Sequence, residues 1–165
     1  MVASVLGELM PDMLVKLYNL PDHRELISRL AGEGIAIRRV QPYEFSKLQN
    51  FVTEAFGQGW ADEIGASISH QPITCFIAID GKKIVGFAAY ECTRRNYFGP
   101  TGVLESHRNR GIGQALLLAC LHSMYEMGYA YAIIGGAGPA DYYAKCAGAE
   151  PIPDSSPGIY TEAVD

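Results

Sequence analysis

The stretch from Tyr97 to Tyr125, YFGPTGVLESHRNRGIGQALLLACLHSMY, constrains the fold more than any other part of the chain. It opens with strand-like residues, passes through a short polar turn, and continues as a long apolar run with no helix breaker. The run from Gly111 through Met127 is apolar on most faces, so a helix there must be buried against a sheet. The turn, Ser106-His107-Arg108-Asn109-Arg110-Gly111-Ile112-Gly113, places two glycines just before that helix. A helix's first amides have no partner inside it, and the helix dipole adds partial positive charge there. Glycine has no Cβ to hold a ligand off the backbone. Together with Arg108 and Arg110, the turn reads as a cradle for a phosphate or pyrophosphate; a glycine turn with solvated arginines is the alternative.

Other phosphate-binding loops do not fit. A Walker loop ends in Gly-Lys-Ser/Thr, and the one Gly-Lys here, Gly81-Lys82, is followed by Lys83. A dinucleotide fingerprint needs a third glycine, where Gly111-x-Gly113 has Leu116 and Gly136-Ala137-Gly138 has Asp141.

The flanking sequence alternates strand and helix signals. Ile35 to Val40 predicts a strand, and Pro42 opens a helix to Phe56 with Phe45, Leu48, Val52 and Phe56 on one stripe. Gly57 to Trp60 breaks it, and Ala61 to Ser69 reads as a short second helix. Two strands, Thr74 to Ile79 and Lys83 to Tyr90, flank the hairpin signal Asp80-Gly81. Asn96 to Leu104 returns as a third strand with a bulge expected at Gly99-Pro100. Tyr129 to Ile134 is a further strand, and Pro139 with Asp141 starts a helix carrying Tyr142 and Tyr143. The tail from Pro151 to Tyr160 is turn-rich, with one short final strand. Ahead of Ile35, Met13, Leu14, Leu17 and Tyr18 recur at helical spacing. Asp22 and Glu25 resemble a capping box for a second helix ended by Gly32 and Gly34. Residues 1–34 therefore read as a helical extension on a domain spanning 35–165. Its apolar faces are expected to pack on that domain, with a homodimer contact or a wall of the acceptor pocket as alternatives.

Arg-Asn-Arg-Gly-Ile-Gly, from Arg108 to Gly113, resembles the R/Q-x-x-G-x-G/A signature of the GNAT superfamily of acyl-CoA-dependent N-acetyltransferases. The setting is similar too: the Thr101-Gly102-Val103-Leu104 strand, the Leu-rich helix, then a strand and a tyrosine-bearing helix, over about Ile35 to Ala149. The resemblance implies an α/β (α+β) fold with a mixed, mostly antiparallel central sheet splayed in the middle and flanked by helices. It implies acetyl-CoA as cosubstrate, its pyrophosphate on the amides from Asn109 through Arg110, Gly111, Ile112 and Gly113 to Gln114. Arg108 would fix the loop and approach the phosphates, and Val103 would lend backbone groups to the pantetheine arm. Tyr143 would protonate the departing thiolate, with Tyr142 as alternate. The family spacing is tyrosine, three residues, glycine, aromatic; here four residues separate Tyr143 from Gly148, and Ala149 replaces the aromatic. The region between the first two strands of the family core forms part of the acceptor site, which makes Trp60 a substrate contact or a core anchor. Asp62 and Glu63 beside it read as solvated helix charges or as an attraction for an amine. For the base, Glu105 follows the key strand and Glu91 ends the preceding one; the alternatives are that either is a surface charge and that a water relay takes the proton.

The implied activity is acetyl transfer to a primary amine of a small molecule or peptide by direct attack in a ternary complex. A different acyl group, or a catalytically silent acyl-CoA-binding module, are the rival readings. A net charge of −5 argues against nucleic acid or an anionic membrane as main partner. At 165 residues, 48% hydrophobic and 19% charged, the chain can bury a substantial core without metal or disulfides. Cys75, Cys92, Cys120 and Cys146 show no paired spacing, so reduced thiols are expected and no metal site. Without a basic segment ahead of a hydrophobic one, a cytoplasmic protein is expected.

Overall fold

The computed structural model describes residues 10–164. Among them, seven strands form one sheet: β1 (Met13–Lys16), β2 (Ile35–Arg39), β3 (Cys75–Asp80), β4 (Lys83–Tyr90), β5 (Tyr97–Val103), β6 (Tyr131–Ile134) and β7 (Glu150–Pro151). Their order is β2-β3-β4-β5-β6-β1-β7, and every neighbouring pair is antiparallel except β5 with β6. Five helices flank the sheet: α1 (Arg24–Gly32), α2 (Phe45–Phe56), α3 (Gln58–Glu63), α4 (Ile112–Glu126) and α5 (Ala140–Ala147). The fold is the expected mixed α/β architecture.

Each face of the sheet has its own core. On one, Leu116, Leu117 and Leu121 of α4 and Leu30 of α1 meet Val85, Ala88 and Tyr90 of β4. On the other, Leu48 and Val52 of α2 with Ala61 and Ile64 meet Ile77, Phe87 and Ala89. β4 is thus buried on both sides, which is why its apolar run is continuous rather than alternating. The helix α4 is buried at ten of its fifteen positions, as a helix apolar on most faces must be.

The hairpin at Asp80-Gly81 and the interruption of β5 appear where expected. Opposite β4, Ala88 pairs with Thr101 and Tyr90 with Phe98, so β5 carries one extra residue around Gly99-Pro100. The helix after β2 begins as a single 3-10 turn, Pro42–Glu44, with a capping box between Gln41 and Glu44. Gly57 alone breaks the following helix, at φ 104°, and helical structure resumes at Gln58. The four cysteines are unpaired, and burial pushes the Cys92 thiol up to about 12.

The structure departs from expectation in the segment before Ile35. Met13–Lys16 is a strand, not a helix, and lies between β6 and β7. Met13, Val15 and Leu17 all point into the core, a period of two that the run M-L-V-K-L satisfies as readily as a helical period. The pairing is tertiary: Met13 opposes Ile134 and Lys16 opposes Tyr131. An available sheet edge decides between two periods that four residues cannot separate. The described part of this segment is therefore woven into the sheet rather than appended to it. Asp22 forms no capping box either. Its carboxylate accepts from the Arg24 amide at 2.8 Å and pairs with the Arg24 guanidinium, while His23 occupies the cap position. Among the described residues no helix is long and apolar enough to cross a membrane.

A structural strand at Met13–Lys16 makes Val15, with no exposed surface, a core residue. Val15→Asp is expected to lower stability by more than about 3 kcal/mol in urea denaturation, since an unpaired carboxylate would enter the core. A loss below about 0.5 kcal/mol, the usual range for surface positions, would show that the strand is peripheral.

Candidate functional site

The open feature of the sheet lies between β5 and β6. They pair only at Tyr97 with Ile133 and Phe98 with Ile134. Beyond that point β5 continues to Val103, while the chain leaves β6 into Gly135-Gly136, so the strands part and a wedge opens. The Leu104 amide donates to Val85 O at 2.9 Å, which turns the backbone groups of Val103 the other way, off β4 and toward the wedge. Val103 O accepts from Arg108 Nε at 3.1 Å, tying the first arginine of the loop to the strand end.

The loop then turns sharply. Asn109 (φ 63°) and Gly111 (φ 88°) are both left-handed, and α4 starts at Ile112. Its first helical bond runs from the Ala115 amide to Gly111 O. Among the described residues, no acceptor takes the amides from Asn109 to Gln114, which leaves six donors in the loop and first turn at the positive end of a fifteen-residue helix. At Gly113 a Cβ would stand 3.1 Å from Tyr142 Oη and 3.7 Å from Val103 Cγ2, and at Gly111 it would meet Arg29 and Leu26. Gly111 is required by its φ and by close approach, and at Gly113 a side chain would press on Tyr142.

Arg29 is a participant that the sequence did not reveal. Its guanidinium donates to Arg110 O at 2.9 Å and pairs with Glu33 at 2.7 Å, and Glu33 also reaches Arg110 at 3.4 Å. Helix α1 thereby braces the loop. Its signal was an i,i+4 Arg–Glu pair, which looks like ordinary helix surface in sequence. His107 bonds Asp80 at 2.9 Å, and His122 bonds Pro21 O at 2.8 Å; both histidines are occupied with packing.

Where β5 and β6 part, a cavity of about 900 Å³ opens. Phe98, Pro100, Gly135 and Tyr143 line it, together with Trp60, Glu63, Asp12 and Tyr160. Tyr143 is 7% exposed and packs edge-on against Phe98, with ring centroids 6.4 Å apart. Burial raises its phenol above the ordinary value, so it stays protonated at neutral pH. Burial raises Tyr142 further, with smaller contributions from Cys146 and Tyr143. The two tyrosines are adjacent, centroids 5.2 Å apart, yet face different parts of the site: Tyr143 the cavity, Tyr142 the glycine loop.

Trp60 is both anchor and surface. It leans on Phe56 (5.6 Å) and Phe87 (6.3 Å), while 39% of it stays exposed on the cavity wall. Gly102 makes this possible, because a Cβ there would fall 2.6 Å from the Phe56 ring. Of the acids considered from sequence, Glu105 is exposed in the turn after β5 and does not face the cavity. Glu91 is consumed structurally, accepting from the Asn96 amide at 2.6 Å and from Tyr129 Oη at 3.1 Å. The carboxylates that do face the cavity are Glu63, which accepts from Thr93, and Asp12, which accepts from the Gly136 amide at 2.8 Å. Asp12 was missed because its segment was read as an extension.

The acetyltransferase (GNAT) domain family model matches residues 71–146. Similar folds include a GCN5-related N-acetyltransferase from Sphaerobacter thermophilus, 21% identical, with a TM-score of 0.68 over 87% of this chain and 48% of that one. A GCN5-related glucosamine N-acetyltransferase region in a fungal multi-domain GH3 β-N-acetylglucosaminidase is 14% identical, with a TM-score of 0.71 over 87% of this chain and 20% of that one. A GNAT family acetyltransferase from Brucella melitensis, solved in complex with acetyl-CoA, is 19% identical, with a TM-score of 0.54 over 67% of this chain and 80% of that one. The chain therefore spans half or less of the first two neighbours. No curated protein gives a significant match.

The Gly102–Phe56–Trp60 stack yields a direct check, since Trp60 is the single tryptophan. Gly102→Ala is expected to cost about 1–3 kcal/mol through overpacking and to shift the tryptophan emission maximum of the folded protein. An unchanged spectrum with unchanged stability would show that Phe56 does not press on the strand.

Proposed function

We propose that the chain is a GNAT-superfamily enzyme that transfers an acetyl group from acetyl-CoA to the primary amine of a small molecule or peptide within a ternary complex, a reading supported by the family match over residues 71–146 and by the shared fold. One observation carries this reading: six unpartnered amides at the head of α4 stand beside a strand edge that its neighbour has left open. Free amides in that number at a helix N-terminus suit a pyrophosphate. An extended arm running from it along β5 would lie against the amide of Val103, as an added strand would.

Bound there, acetyl-CoA supplies an activated thioester. The chain's own residues do the rest. Arg108, fixed to Val103 O, and Arg110, held by Glu33, bring positive charge to the loop. The Val103 amide polarises the acyl carbonyl. Tyr143 donates its phenolic proton to the sulfur as the C–S bond breaks, with Tyr142, over Gly113, as the alternate donor. An amine of ordinary basicity arrives protonated, and Glu63, on the cavity wall, accepts its proton directly or through water. Glu63 takes the place of Glu105 because it faces the cavity and Glu105 does not.

A catalytically silent acyl-CoA-binding module would use the same loop, and the altered spacing between Tyr143 and Gly148 is the observation that favours it. One experiment separates the two. Acetyl-CoA is expected to raise the melting temperature, and free thiol is expected to appear when a primary amine is added. Tyr143→Phe is expected to lower turnover by about 100-fold while retaining the CoA-induced shift. Stabilisation without turnover on any amine selects the module, and absence of stabilisation removes both readings.

A further inference from the structure

Building on the acyl-transfer reading above, we infer that Asp12 docks the acceptor's ammonium, holding the nitrogen by a charged hydrogen bond while Glu63 takes its proton. Among the described residues two carboxylates are buried, Asp12 at 7% exposure and Glu91 at 9%. A carboxylate that deep needs a cation or a full set of donors. Glu91 has its set: Oε1 accepts from the Asn96 amide and Oε2 from Tyr129 Oη. Asp12 is only half satisfied. Its Oδ1 accepts from the Gly136 amide at 2.8 Å, while Oδ2 has no hydrogen-bond or ion-pair partner among the described residues. Unlike Ser156 Oγ, Oδ2 is not sealed from solvent, and Asp12 lines the cavity.

The chain places this acid where the wedge opens. Met13 opposes Ile134 of β6, and Ile134 opposes Phe98 of β5 in the last pair before those strands part. Asp12, one residue ahead of Met13, therefore stands beside the Gly135-Gly136 turn in which β6 has ended. Three bonds hold it there. Besides the bond from Gly136, its amide donates to Ser155 Oγ and its carbonyl accepts from the Ile152 amide, both at 2.8 Å. A carboxylate pinned in this way has little freedom left to lose when a ligand binds.

The surroundings select a cation. No Lys, Arg or His lines the cavity among the described residues, so no side chain of the wall competes for Oδ2. Burial raises the Tyr160 phenol, and Glu63 and Asp12 raise it further, so one negative field covers that side of the cavity. An ammonium carries three N–H donors, and one bond to Asp12 leaves two for Glu63 or water.

The two acids differ in what surrounds them, and so in what they do. Asp12 is nearly enclosed, which strengthens its pull on a charge and protects the pair from salt. Glu63 is half-buried, with Oε1 bonded to Thr93, and its contact with water lets it pass a proton on. Once the ammonium has lost that proton, the amine stays hydrogen-bonded to Asp12 Oδ2 and its nitrogen stays at the opening of the wedge. Asp12 lies outside residues 71–146 and reaches the cavity only because β1 joins the sheet beside β6.

The test uses the full chain and two probes of equal size, benzylamine and benzyl alcohol. Binding is read from the fluorescence of Trp60, the single tryptophan and part of the same wall. At neutral pH benzylamine is expected to bind about 10-fold tighter than the alcohol, or more, and to keep that preference in about 0.5 M NaCl. Asp12→Asn retains an acceptor for the Gly136 amide and removes the charge. It is expected to cut the preference below about 3-fold, whereas Glu63→Gln keeps most of it. In the thiol-release assay, Asp12→Asn is expected to raise KM for the amine turned over about 10-fold, with kcat within about 3-fold and the acetyl-CoA-induced thermal shift unchanged. Equal binding of the two probes, a preference abolished by salt or retained in Asp12→Asn, or a fall in kcat at unchanged KM overturns the inference. Should Asp12→Asn fail to fold, the wild-type preference and its salt dependence decide alone. Those titrations need no cofactor, so absence of stabilisation by acetyl-CoA removes the acyl-transfer reading and leaves the ammonium site to stand or fall by its own result.

Discussion

A sheet edge left open in its own interior is the constraint to which the rest of this molecule answers. Strand β5 loses its neighbour after Phe98, and its backbone groups beyond that point need partners that the sheet does not provide. The chain responds locally in two ways. The extra residue at Gly99-Pro100 bends the strand, and proline removes one donor from the exposed edge. Arg108 then reaches back from the following loop to occupy Val103 O. The same bond that relieves the strand fixes the loop, so the free edge and the free helix amides are held in register by one guanidinium.

The two sides of that wedge differ in character. Toward α4 the surface is made of backbone donors, glycines and arginines, braced by Arg29 and Glu33 from α1. Toward α3 it is aromatic and acidic, with Trp60 supported by Phe56 and Phe87 and with Glu63 and Asp12 facing inward. Positive polarity on one side and negative on the other suit an anionic donor and a cationic acceptor approaching from opposite faces. Tyr142 and Tyr143, consecutive in sequence, are divided between them.

What could be read from the sequence was local. The loop and α4 announced themselves because a glycine pair, arginines and fifteen helical residues lie within one short stretch. The hairpin at Gly81 and the irregularity at Pro100 follow from backbone chemistry alone. Met13–Lys16 did not, since an apolar run of that length satisfies two periods and its partners lie far along the chain. The consequence spread to the site: with that segment read as an appendage, Asp12 and Arg29 could not be placed beside the cavity and the loop. Glu105 was attractive by adjacency to β5, but adjacency in sequence said nothing of which way the turn would carry it.

The position of β1 between β6 and β7 has a consequence for how the molecule is made. The Asp12 amide donates to Ser155 Oγ at 2.8 Å, 143 positions away, and the Ile152 amide donates to Asp12 O at 2.8 Å. During synthesis, β1 must wait unpaired until β6 and β7, far later in the chain, have left the ribosome. Such distant contacts come late, because the entropy of closing the intervening loop is paid before they form. The half of the sheet with β2 to β5 can assemble from nearby segments; the acidic pocket cannot, and is the last region to acquire its shape.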